Sequence, residues 1–372
     1  MPHILTASAA ALVTALSVVG CSNSERIQGG SVPAVPLGNP DPNLGAAFAG
    51  KAKSIGAIER LDPALDALVP VDTKLTVISE GYGWVEGPLW VQGGGFLLFS
   101  EIPSNHVYQW RPGKGASVFL SQSGWLGPVP RPGAAAPDEP GSNGLLLDPK
   151  GRLILCQHGN RQVARMDAPL SAPSPKFVPI ADRYLGEHFN SPNDGAYHAN
   201  GDLYFTDPPY GMVGKMEDPE KRIPFQGVYR VDQGGVVTLL TKEMSRPNGV
   251  AFSPDFKTLY VANSDPARAV WMAFPVKDDG TLGEGRVFFD ATPMVGKKKG
   301  LPDGLKVDKQ GNLFATGPGG VLIFNAAGKH LGTLATGEAT SNCAFGEDGK
   351  TLFVTADMYV LRVRLNATGM GY

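Results

Sequence analysis

The sequence predicts an all-β chain folded as a six-bladed β-propeller. Three observations lead there: a composition rich in turn formers, a unit that recurs six times, and a spacing that fits four short strands per unit. Gly and Pro number 48 and 32 of 372 residues, more than a fifth of the chain. Both disfavour helix interiors, which argues against a helical bundle. Hydrophobic residues at 42% suffice for a large core and exclude general disorder. A net charge of −2 without a long basic block argues against a nucleic-acid partner.

Taken in chain order, Ile4 to Val19 is an Ala-rich apolar run too short to span a bilayer comfortably. It leads into Val18-Val19-Gly20-Cys21, which resembles a bacterial lipoprotein cleavage box, although Met1-Pro2-His3 carries no Lys or Arg. Residues 1–21 are expected to be a lipoprotein-type signal peptide. A lipid on Cys21 would then anchor a soluble body in the periplasm or cell envelope. Residues 22–60 are rich in Pro, Gly, Ala and Ser and read as a flexible linker. The propeller is assigned to 61–372. Cys156 and Cys343 each lie in an apolar run, so buried free thiols are favoured over a bridge.

The repeated unit is a polar residue, a small residue, a short apolar run, a turn and a second apolar run. Its copies begin at Glu86, Asn143, Asn193, Asn248, Asp303 and Asn342, at spacings of 39 to 57 residues. That is the scale of a propeller blade and too long for a solenoid turn. Two stacked sandwiches would not require six matched units. The closing blade is expected to be completed by an N-terminal strand near Leu75 to Ser79.

Asn-Gly and Asp-Gly ordinarily mark hairpins. Here a second turn signal follows too closely, as in Asp148-Pro149-Lys150-Gly151 after Asn143-Gly144. The first signal must therefore mark entry into the innermost strand. Six polar side chains at one register would then converge on the axis. The set holds two carboxylates and several amide oxygens, with no His or Cys. Hard oxygen donors of this kind suit Ca²⁺, and Mg²⁺ less well, because it keeps more of its water. A central metal channel is the favoured reading, and a water-filled polar plug the alternative.

Several ordered segments carry a family resemblance. They include Trp84-Val85-Glu86-Gly87-Pro88, Cys156-Gln157-His158-Gly159, Asn190-Ser191-Pro192-Asn193-Asp194-Gly195, Thr206-Asp207-Pro208-Pro209-Tyr210-Gly211, Arg246-Pro247-Asn248-Gly249 and Leu301-Pro302-Asp303-Gly304. Together, over about residues 65 to 365, they resemble the bacterial gluconolactonase-like branch of the senescence marker protein/gluconolactonase family. The resemblance implies a six-bladed propeller that opens sugar lactones at an axial divalent cation, usually Ca²⁺. It places the metal ligands at Glu86, Asn193, Asn248 and Asp303. One departure is Gln157, where that branch usually has Glu.

On this reading Asp303 is both ligand and candidate catalytic base, with attack by metal-bound hydroxide equally tenable. Asn143, Asn193, His158 and Arg161 are candidate substrate contacts, although a packed strand histidine explains His158 as well. Asp207 is assigned first to a turn beside Pro208-Pro209, and Lys297-Lys298-Lys299 to a solvated charge run. No Gly-x-Ser-x-Gly elbow or nucleotide-binding glycine motif is found. Hydrolysis of another ester or phosphotriester at the same ion, or a non-catalytic binding propeller with a structural metal, are the competing functions.

Overall fold

A computed structural model describes residues 53–134 and 138–371. The expected signal peptide, Cys21 and most of the expected linker lie outside the described residues. Among the described residues six antiparallel blade sheets are arranged in a ring, five built on four strands consecutive in the chain and the sixth on three C-terminal strands closed by one from the N-terminal side. Their innermost strands are Val85–Val91, Ser142–Leu147, Gly195–Tyr197, Pro247–Phe252, Leu305–Val307 and Thr340–Gly346. The second strands, such as Leu153–Gln157 and Leu203–Asp207, are buried on both faces. Continuous apolar runs result there, because a blade presses on neighbours at both sides.

Six hydrophobic clusters fill the six seams between blades. Leu98, Val107 and Leu120 meet Leu145, Leu155 and Met166 between the first and second blades. Trp90 and Phe99 meet Phe353 and Val360 between the first and last. The Trp90 and Phe353 rings stack with centroids 5.3 Å apart. Cys156 and Cys343 are buried, unbridged, in separate seams.

Leu75–Glu80 completes the sixth blade by pairing with Tyr359–Arg364, as the sequence predicts. The linker boundary needs correction. Ala57–Arg60 adds a fifth strand to the fifth blade, along His330–Ala335, and Ser54–Ile55 a fifth to the sixth blade. These outer edges offer unpaired backbone groups, which the segment before residue 61 satisfies. It thereby straps two adjacent blades together.

Every innermost strand is bulged at its start. In the first, second, fourth and sixth blades the register shifts just after Glu86, Ser142, Pro247 and Thr340. In the third, Asn193 and Asp194 together oppose Thr206, and in the fifth Asp303 and Gly304 oppose Thr316. A bulge turns a strand and re-aims its side chains.

The residue after each hub position is Gly in four blades, and the reason is close approach to the next blade. A Cβ on Gly87 would fall 2.2 Å from Asn143 O, one on Gly144 2.7 Å from Asn193 O, and one on Gly249 2.3 Å from Asp303 O. A ring of hydrogen bonds closes the same layer. Ser100 Oγ donates to Asn143 O at 2.8 Å, Gly144 N to Asn193 O at 2.8 Å and Thr206 Oγ1 to Asn248 O at 2.7 Å. Ser264 Oγ reaches Pro302 O, Thr316 Oγ1 donates to Ser341 O at 2.8 Å, and Ser341 Oγ to Val85 O at 2.7 Å. Each blade is thus bonded to the next around the whole hub. Gly249→Ala is expected to lower the unfolding free energy by about 3 kcal/mol, because a backbone carbonyl cannot step aside. Urea denaturation reads this directly, and a loss below about 1 kcal/mol would remove the close-approach explanation.

Candidate active site

The hub layer brings together Glu86, Asn143, Asn193, Asn248 and Asp303, one from each of the first five blades. Glu86, Asn143, Asn193 and Asn248 are buried and Asp303 is half-buried. Glu86 accepts a hydrogen bond from the Gly87 N–H at 2.9 Å. Burial, together with the charge of Asp194, lifts its carboxyl to about 8. Burial and then the repulsion of Glu86 and Asp194 raise Asp303 well above the usual carboxylate range, opposed by the Asn248 side chain. Asn248 Nδ2 donates to Ser264 Oγ at 2.9 Å.

Two buried oxygens of this layer, Asn143 Oδ1 and Asp303 Oδ1, have no hydrogen-bond partner. A buried acceptor left unpaired is costly. A hard divalent cation would satisfy both the orphaned oxygens and the repulsion between the carboxylates. Among the described residues no three His, Cys, Asp or Glu side chains cluster as a metal site. A cation here would be held by two carboxylates and amide oxygens. The residues present fit such an ion.

In the sixth blade the matching position is Ser341, one residue before the expected Asn342. Gly304 N donates to Ser341 O at 2.7 Å, as Gly144 N does to Asn193 O, which fixes the equivalence. Asn342 instead shares the following layer with Asp194, whose blade lies opposite. Asn342 Nδ2 reaches Asp194 Oδ2 at 3.5 Å, a clasp across the axis. Asp194 is buried, and burial raises its carboxyl. Sequence reasoning missed it because strand alternation would turn residue 194 away from the axis. The bulge suspends that alternation.

The end where the innermost strands begin also carries the longer loops, including 122–141 and 208–226. Tyr210 comes from Thr206-Asp207-Pro208-Pro209-Tyr210-Gly211. It bonds the Ser264 side chain and feels the charge of Asp303, and its hydroxyl is raised by burial. His158 is fully buried, with Nδ1 3.4 Å from Glu139 Oε2. Burial lowers the imidazole's proton affinity, with Glu139 opposing it. Glu139 Oε1 accepts from Lys215 Nζ at 3.0 Å. Burial opposes charge on Glu139, but the nearby His158 ring and the charge of Lys215 hold its carboxyl below the ordinary value. Glu139 acts electrostatically on both Asp303 and Tyr210, which puts this network beside the hub.

The family profile described as SMP-30/Gluconolactonase/LRE-like region matches residues 84–357. The chain belongs to this family. A curated gluconolactonase from Zymomonas mobilis subsp. mobilis is 41% identical over 325 residues, covering 85% of this chain and 88% of its own. Among solved structures, a gluconolactonase from Xanthomonas campestris is 29% identical with a TM-score of 0.71. That match covers 85% of this chain and 98% of the other. A regucalcin from Agrobacterium tumefaciens, named as a calcium-binding protein, is 21% identical with a TM-score of 0.58, covering 80% and 94%. At that identity the likeness is one of fold.

Within this family member the remaining expected residues divide by their bonding. Gln157 is fully buried and bonded at both ends of its amide. Nε2 donates to Ser123 O at 2.7 Å, while Oε1 accepts from Gln162 Nε2 at 2.6 Å and Asn160 Nδ2 at 3.3 Å. It organises the mouth loops, and the Glu-to-Gln departure leaves the hub carboxylates untouched. Arg161 is committed to backbone carbonyls, including Phe189 O at 2.6 Å and Glu220 O at 3.0 Å. It ties the second blade to the loops of the third. Asp207, raised to about 7 by burial, accepts from Asn190 N at 2.9 Å and Ser191 N at 2.8 Å. It positions the segment that delivers Asn193. Lys298 and Lys299 pair with Glu59 and Glu338, each at 2.6 Å. Glu139, Lys215 and Tyr210 escaped sequence reasoning, since the loops that carry the first two hold no readable motif.

Proposed function

We propose that this chain hydrolyses sugar lactones such as gluconolactone at a divalent cation, Ca²⁺ by its donor chemistry. Glu86, Asn193, Asn248 and Asp303 are the residues to hold it. One observation supports this above the rest: carboxylates from the first and fifth blades share a buried layer with orphaned oxygens on Asp303 and Asn143. When bound, the cation would supply Lewis acidity toward the lactone carbonyl and lower the pKa of a neighbouring water.

The protein's own groups do the remainder. Asp303 Oδ1, a buried carboxylate oxygen with no hydrogen-bond partner, is free to take a proton from the attacking water. After the new C–O bond forms, the ring C–O bond breaks and the departing alkoxide takes up the proton that Asp303 removed from water, giving the open hydroxy acid and restoring Asp303. Asn143, with its unpaired Oδ1, can accept a hydrogen bond from a sugar hydroxyl. Tyr210 and the Glu139–His158 pair line the approach and are the candidate contacts for the remaining hydroxyls.

The test is proton release from gluconolactone by the purified chain, with and without chelator. Turnover is expected, lost on chelation and restored by Ca²⁺. Chelator-insensitive turnover would sink the cation's part. Cation binding without turnover on any aldonolactone would favour the non-catalytic binding propeller.

A further inference from the structure

An amino group, that of Lys306, stands at the hub where its charge acts on Glu86 and Asp194. Lys306 lies three residues after Asp303 on the innermost strand of the fifth blade. Its Nζ donates to Leu305 O at 3.0 Å and lies 3.5 Å from Asn342 Oδ1. Asn342 reaches Asp194 through Nδ2 and steadies the Glu86 carboxylate. Lys306, Asn342, Asp194 and Glu86 thus form one connected group drawn from four blades. The charge of Lys306 acts on both Glu86 and Asp194, favouring their ionised forms. A Cβ on Gly304 would fall 2.0 Å from Asn342 Cγ, so the backbone leaves this side chain its space across the channel.

An ammonium has no lone pair to offer a metal, so Lys306 cannot be a ligand while charged. Its effect on an ion is repulsion, and in a buried hub that repulsion is poorly screened. Without an ion the same charge eases the crowding of Glu86 and Asp194.

We propose that Lys306 sets the cation affinity of the hub, opposing a divalent ion at Glu86 and Asp303 while holding the acidic hub together in its absence. The inference rests on the hub being a cation site, as proposed above. Affinity in oxygen-ligand sites follows local charge count, so removing one positive charge tightens the site. An ion held less tightly exchanges more readily, and its charge is less spent on its ligands.

The experiment is calcium titration calorimetry on the full chain after chelator treatment, paired with thermal unfolding in chelator. Lys306→Met and Lys306→Gln are compared with Lys306→Arg, which keeps the charge. Thermal unfolding in saturating calcium establishes that each variant is folded, and the Gln variant retains an amide donor for Leu305 O. Both neutral variants are expected to bind calcium roughly tenfold more tightly and to melt lower in chelator. The Arg variant should return both readouts toward those of the unaltered chain. Unchanged or weaker calcium binding in both neutral variants, with the unaltered chain binding normally, overturns the role of Lys306. No calcium binding by the unaltered chain overturns the cation reading of the hub, and this inference with it.

Discussion

Asp303→Asn is expected to cut lactone turnover by about three orders of magnitude while making the cation-free protein more stable. The loss follows from removing both the proposed charged ligand and a buried hub carboxylate oxygen that has no hydrogen-bond partner. The gain follows from the same geometry. Asp303 is strained electrostatically by burial and by Glu86 and Asp194, so a neutral amide of equal size relieves the cost. Opposed effects on activity and melting temperature separate this site from a merely structural carboxylate, whose loss would lower both. Proton-release kinetics and thermal unfolding in chelator read the two. A variant that is active, or less stable in chelator, would contradict the hub described above.

Stability of the cation-free protein is expected to fall as pH rises from about 5 to about 8. Glu86 holds its proton more tightly in the folded chain, to about 8 against an ordinary value of 4.5. Asp207 behaves likewise, to about 7 against 3.8. Below the ordinary carboxylate range both folded and unfolded chains are protonated, and the stability from these groups is fully present. Above it the unfolded chain releases protons that the folded chain retains, so stability declines until pH passes the folded values. The contribution of these two groups should decline by about 6 kcal/mol. Saturating Ca²⁺ should flatten the hub's share, because an ion binds the deprotonated carboxylates of the folded state. Asp207 lies outside the hub layer and should keep its slope. Urea midpoints across this range, with and without calcium, make the comparison. A chelated protein more stable at pH 8 than at pH 5 would refute the burial of these charges.

Much of the fold was legible from residue order. Leu153-Ile154-Leu155-Cys156 and its counterparts are continuous apolar runs because blades are covered on both faces. The polar residue entering each unit marks the innermost strand because nothing else brings six such residues to one axis. The segment before residue 61 was harder to read. Its strands are edge additions, held by backbone pairing that leaves little trace in side-chain pattern.

Residue types and their spacing by themselves determined the all-β class, the six units, the closing strand from the N-terminal side, and the set Glu86, Asn143, Asn193, Asn248 and Asp303. Those features are local, or repeat with a period, and hydrophobic burial enforces them along the chain. Tertiary structure alone decided that Ser341 and not Asn342 matches the other hub positions, and that Asp194 faces Asn342 across the axis. It also decided that Gln157 and Arg161 spend their bonds on loops, and that Glu139, Lys215 and Tyr210 gather beside Asp303. Each of these depends on a bulge or on a contact between distant blades. Such contacts are fixed by how the ring closes, and pairwise order along one strand does not encode them.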